Sequence, residues 1–169
     1  MTDRAIFNRK YTSFNSGGTT VWLVNGAGVT TYPTSTVSFT AGETLAQGSF
    51  VRVSGTYVVK ATALSGLAPA NYAVIGATTE AAVQGGSVSV STDGVVVLSS
   101  TNITASGVLV PGTQYYLSKY SGQIVPYSSS SGTVSNSGTN QYQAFVPVGQ
   151  AVSFTEFNIE IQPEIVLYD

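Results

Sequence analysis

Acidic residues are the first candidates for chemistry in this chain. Glu156, Glu160 and Glu164 could offer oxygen ligands to a hard cation, but no calcium-loop spacing surrounds them. A solvated strand face explains them more simply. Glu43 and Glu80 are isolated, which gives no basis for the carboxylate pair of a glycoside hydrolase. Asp93 precedes Gly94 and reads as a hairpin-turn residue rather than an acid. The GGT and SGG segments lack the lysine and the strand-to-helix setting of a phosphate loop. Tyr115, Tyr116, Tyr120 and Tyr127 could form a sugar-stacking face, although strand tyrosines more often pack a core. With no cysteine and no histidine, disulfides, thiolate nucleophiles, the usual structural zinc and the commonest general base are all absent. No catalytic, cofactor-binding or metal-ligating residue is assigned.

In the composition, charge is the unusual quantity. It stands at 8% over 169 residues, against about 25% in typical domains. Ser, Thr, Gly, Asn and Gln supply most of the polar surface, while 43% hydrophobic content is enough for a real core. The few charges are segregated. The first ten residues hold Asp3 against Arg4, Arg9 and Lys10, and residues 156–169 hold Glu156, Glu160, Glu164 and Asp169 with no cation. Two solvated ends are the plain explanation. The sharper one is that opposite ends meet on neighbouring subunits, which helps orientation more than affinity. A net charge of −2 without a basic stripe argues against nucleic-acid binding. Residues 1–10 lack an apolar signal-peptide core, and no apolar run approaches the ~20 residues of a membrane span. A protein made in a cytoplasm, soluble or assembling there, is expected.

The elements that would position any site are β-strands. Residues 1–37 read as an extended N-terminal arm, with scattered aromatics, a Gly17-Gly18 joint and a short strand at residues 21–24 ended by Asn25-Gly26. Pro33 argues against a central strand over residues 29–40. Residues 38–169 read as a β-domain. Its clearest stretch, LVPGTQYYLSKYSGQIV at 109–125, has an earlier counterpart, LAQGSFVRVSGTYVVKA at 45–61. Leu45 and Gly48 answer Leu109 and Gly112, residues 50–53 answer 114–117, and Val58-Val59 answer Ile124-Val125. Each hairpin is followed by an apolar strand with one glycine, Gly76 or Gly149. Two related β-units are expected. Val88 and Val90 alternate cleanly, Asp93-Gly94 reads as a turn, and residues 95–98 as its return strand. Residues 128–141 read as a polar loop, and Phe154, Phe157, Ile159, Ile161 and Ile165 as a last strand pair around Pro163. The fold class is all-β, a sandwich or small barrel of two related units preceded by the arm.

The order AGETLAQGSFVRV, ANYAVIGATTEAAVQGGSVSVSTDGVV, LVPGTQYYLSKYSGQI, FVPVGQAVSFTEFNIEI resembles small β-domains of tailed-bacteriophage virion proteins over about residues 38–162. Such domains occur in capsid decoration (cement) proteins and in fibre or baseplate components. The resemblance implies a non-enzymatic structural protein of the virion, without cofactors, that binds the major capsid protein as a homo-oligomer, a trimer being favoured. A short chain, an arm apolar enough to need a partner and the lack of a repeating shaft favour decoration. Tail-fibre or baseplate adaptor and carbohydrate-binding virion module are the alternatives. The arm residues expected to meet the partner are Phe7, Arg9, Lys10, Tyr11, Phe14 and Trp22. Burying one large apolar side chain contributes about 1.5–3 kcal/mol, multiplied by avidity in an oligomer.

Overall fold

The computed structural model describes residues 35–63, 71–104, 107–126, 143–163 and 165–167, together with strand residues 15–16, 19–20, 23–24 and 30–31. The chain divides into two units, Met1–Pro33 and Thr34–Asp169. In the first, β1 (Asn15–Ser16) pairs with β2 (Thr19–Thr20), and β3 (Leu23–Val24) with β4 (Thr30–Thr31), both antiparallel.

The second unit is all-β. Its first strands are β5 (Ser35–Ala41), β6 (Phe50–Ser54), β7 (Tyr57–Lys60), β8 (Val74–Thr78) and the long β9 (Ser87–Val97). They pair in the cycle β5–β7–β6–β8–β9 and back to β5, with only β5–β7 parallel, so the sheet closes into a five-stranded barrel. Closure removes the unpaired edges that an open sheet would present. Ala41, Leu45, Val51, Val58, Val88 and Val90 fill the interior. β5 includes residues 35–37, which the sequence places with the arm. β5 lies between β9 and β7, so the expectation that Pro33 argues against a central strand over residues 29–40 fails for its second half: the described ladder runs from Ser35, two positions past the proline in sequence.

The second half repeats this design. β10 (Gln114–Leu117), β11 (Ile124–Pro126), β13 (Pro147–Ala151) and β14 (Glu156–Ile159) follow, with β12 (Gln143–Phe145) and β15 (Ile165–Leu167) forming a separate pair. β10 pairs with β11 as β6 pairs with β7, and Leu117↔Ile124 matches Val53↔Val58. β13 returns along β10 as β8 does along β6. Val51↔Gly76 matches Tyr115↔Gly149, and each register slips by one residue immediately afterwards. The hydrogen bonds correspond as well. The Gly48 and Gly112 amides donate to the Thr78 and Ala151 carbonyls at 2.7 and 2.8 Å, and the Thr78 and Ala151 amides donate back to Ser49 and Thr113, both at 3.0 Å. Gly48 (φ 77°) and Gly112 (φ 80°) share the left-handed conformation this turn requires. The two related units expected from the sequence are present at the level of single hydrogen bonds.

The two units share β9. Its first part, up to Asp93, pairs with β5 in the first barrel, and Gly94 to Val97 pair with β14 in the second. Thr36↔Ser91 and Ser38↔Ser89 thereby correspond to Val95↔Asn158 and Val97↔Glu156. The chain then makes a 3-10 turn of three residues, Ser100–Asn102, and Ile103 bridges Ile124 in parallel. The Thr104 amide donates to the Ile124 carbonyl at 2.8 Å, as the Gly42 amide does to Val58 at 2.8 Å. The second ring is thus closed by one bridge where the first has a strand pair.

The structure departs from two further sequence expectations. Asp93-Gly94 is not a hairpin turn but a point inside a continuous strand. Gly94 has φ 85°, the Ser91 hydroxyl donates to the Asp93 carbonyl at 2.8 Å, and the β5 register shifts beside it. A left-handed glycine in a strand makes a bulge that increases local twist, and this one carries β9 from one barrel into the next. The last strands also do not pair with each other: β14 lies between β13 and β9, and β15 pairs with β12.

One hydrophobic cluster joins the barrels. It holds Ile103, Leu109, Tyr115, Ile124, Val148 and Phe157 of the second together with Phe50, Val74 and Ala77 from the outer wall of the first. Phe157 meets Phe50 and Tyr115 edge to face, with centroids 5.8 Å apart in both cases. Such pairs contribute about 0.5–1.5 kcal/mol beyond the area they bury. The Phe50 amide donates to the Gly122 carbonyl (3.0 Å), Gly122 to Ala61 (2.8 Å) and Ala63 to Ser118 (2.9 Å), so the β10–β11 turn is stitched onto the first barrel.

Candidate functional site

Phe7, Arg9, Lys10, Tyr11, Phe14 and Trp22, the arm residues assigned to partner binding, lie outside the described residues. So do Tyr127, Glu164 and Asp169. The remaining tyrosines do not form one stacking face. Tyr115 is fully buried, and its hydroxyl accepts from the Val110 amide at 2.9 Å. The half-buried Tyr116 packs edge-on against Phe145. Tyr120 is exposed, with the Lys119 ammonium 5.4 Å from its ring centre. β10 alternates in and out of a barrel wall, which sends neighbouring tyrosines to opposite sides.

The carboxylates are equally dispersed. Glu43 accepts from the Lys60 amide (2.7 Å) and faces its ammonium at 3.7 Å, a half-exposed pair of little energetic weight. Glu80 accepts from the Ser89 amide at 3.1 Å. Asp93 is exposed beside the bulge. Glu156 and Glu160 are two strand periods apart on β14 and its continuation, so they share one face with Asn158. Among the described residues no group of three acids, histidines or cysteines is placed to hold a metal ion.

What the second barrel does present is an apolar surface. Val97 on β9 stands opposite Glu156 on β14, and on the other side of Glu156 the Val152 amide donates to its carbonyl at 2.9 Å. Val97, Val152 and Phe154 at the tip of the β13–β14 turn are 58%, 42% and 67% exposed. Half-buried Val95 extends the row along β9 toward Asn158. Large apolar groups gathered on one face mark a contact surface more often than scattered ones do.

The repeat supplies an internal comparison. Val95, Val97 and Val152 occupy the places of Thr36, Ser38 and Thr79 in the first barrel, and the Thr79 amide donates to the Ser89 carbonyl as Val152 does to Glu156. The same position on the same scaffold is hydroxylic in one barrel and apolar in the other. Neither register nor core packing demands valine there, because the threonine and serine version folds alongside it. In sequence, residues 95–98 read as an ordinary return strand, and this face emerges only when the two repeats are aligned past Gly94. No protein-family model matches the chain, and no curated protein is significantly similar to it.

Proposed function

We propose that the chain is a non-enzymatic structural protein of a tailed-bacteriophage virion, a decoration protein that coats the capsid as a homo-oligomer and stabilises it. The observation that carries the reading is the division of labour along the chain. Residues 34–169 form a closed β-barrel and a second, related β-unit with their own core, while the separate Met1–Pro33 unit holds scattered aromatics and three of the six cations. A closed barrel with a mostly hydroxyl and amide exterior suits a protein that sits exposed on a particle without aggregating. The oligomer, with a trimer as first expectation, spans junctions between major capsid protein subunits, and several weak contacts combine through avidity to oppose the pressure of packaged genome.

The test is copy number and occupancy. On a stained gel of purified virions the protein should appear in hundreds of copies per particle, and a chain lacking residues 1–20 should no longer occupy expanded capsids although its β-domain is folded. A few copies confined to tail fractions would instead make it a fibre or baseplate adaptor.

A further inference from the structure

We infer that the apolar face of the second barrel, built on Val97, Val152 and Phe154, is the docking site for the N-terminal arm of another copy of this chain. Three observations lead there. At three equivalent strand positions the second barrel is apolar where the first is hydroxylic, Val95, Val97 and Val152 standing in the places of Thr36, Ser38 and Thr79. Its charged members are acidic, Glu156 within the row and exposed Glu160 further along the same strand face, with neutral Asn158 between them. The described cations lie elsewhere: Lys60 faces Glu43, Lys119 sits by Tyr120, and Arg52 is on β6. The occupant should therefore combine large apolar groups with positive charge.

One segment of the chain has that chemistry. Residues 4–14, RAIFNRKYTSF, interleave Phe7, Tyr11 and Phe14 with Arg4, Arg9 and Lys10. Apolar contact with the valines and Phe154 provides attraction, and the cations beside Glu156 and Glu160 set direction. An arm given to a neighbour is a heterologous contact, which closes into a ring when the rotation permits. The inference concerns self-association in solution and does not depend on the capsid reading.

The experiment is sedimentation of the full-length protein over a range of concentrations. The unmodified chain should be oligomeric. Val97→Ser, Val152→Thr and Phe154→Ser together place first-barrel polarity on the face and should weaken association at least tenfold, with a thermal melt that confirms the fold is intact. Arg9→Glu with Lys10→Glu should also weaken it, and adding Glu156→Lys with Glu160→Lys should restore it. A monomeric unmodified chain, an oligomer indifferent to the triple substitution, or a charge-reversed quadruple variant that fails to recover would each overturn the inference. An intact oligomer that does not bind capsids would count against the capsid reading alone.

Discussion

Gly76 and Gly149 leave no room for a single methyl group. A Cβ built on either would lie 2.0 Å from a carbonyl oxygen of the next strand, that of Ser91 or of Asn158. Backbone cannot yield as the end of a flexible side chain can, so either strand must move out of its ladder. Gly76→Ala and Gly149→Ala are each expected to cost about 2–3 kcal/mol and lower the melting temperature by roughly 5–10 °C. Ser87→Ala, at an exposed position, should change it little. Thermal denaturation of the three variants checks this, and a Gly76→Ala protein as stable as the parent would show that β8 and β9 are less tightly joined than their geometry implies. The same spacing explains why one glycine recurs in an otherwise apolar strand of both repeats.

At the scale of elements, the repeated hairpins were legible in the sequence because short-range chemistry decides them. Gly48 and Gly112 need the same turn, and the alternating residues after them need the same wall. The passage of β9 between barrels was not legible, since an Asp-Gly pair suits a hairpin turn and a strand bulge equally. What separates the two is whether β14, more than sixty residues later in the chain by number (Asp93 against Glu156), pairs with residues after the glycine. The three-residue turn Ser100–Asn102 was hidden for a similar reason: it interrupts an equivalence that appears only once both rings are traced. That interruption has a measurable effect. The first ring is closed by the β5–β7 pair and the second by a single bridge at Ile103, so the second should open more readily. Amide exchange at Thr104 is expected to be at least tenfold faster than at Gly42. Equal protection would mean that the 3-10 turn holds its ring as firmly as a strand does.

For the whole molecule, the core is the decisive feature, because one cluster draws side chains from both barrels. Phe50 belongs to the first by sequence, yet its ring packs on Phe157 of the second. Phe50→Ala should therefore cost about 3–5 kcal/mol and shift a single unfolding transition for residues 34–169, with fluorescence and circular dichroism tracing the same curve. Two separated transitions would show that the barrels are energetically independent. The candidate surface was the least legible feature at this scale. Valine at positions 95, 97 and 152 is consistent with burial in any strand, and exposure follows only from which wall of which ring the strand occupies.

The shared strand also imposes an order on synthesis. All the strands of the first barrel are encoded by residues 35–93, so that ring can close while the rest of the chain is still unmade. Residues 94–97 then protrude as a ready edge on which β14 completes the second ring. Until that happens Phe50, Val74 and Ala77 wait on the outer wall without the side chains that later cover them. The nascent chain thus carries its own template forward, and its most exposed moment on the ribosome falls between the two closures.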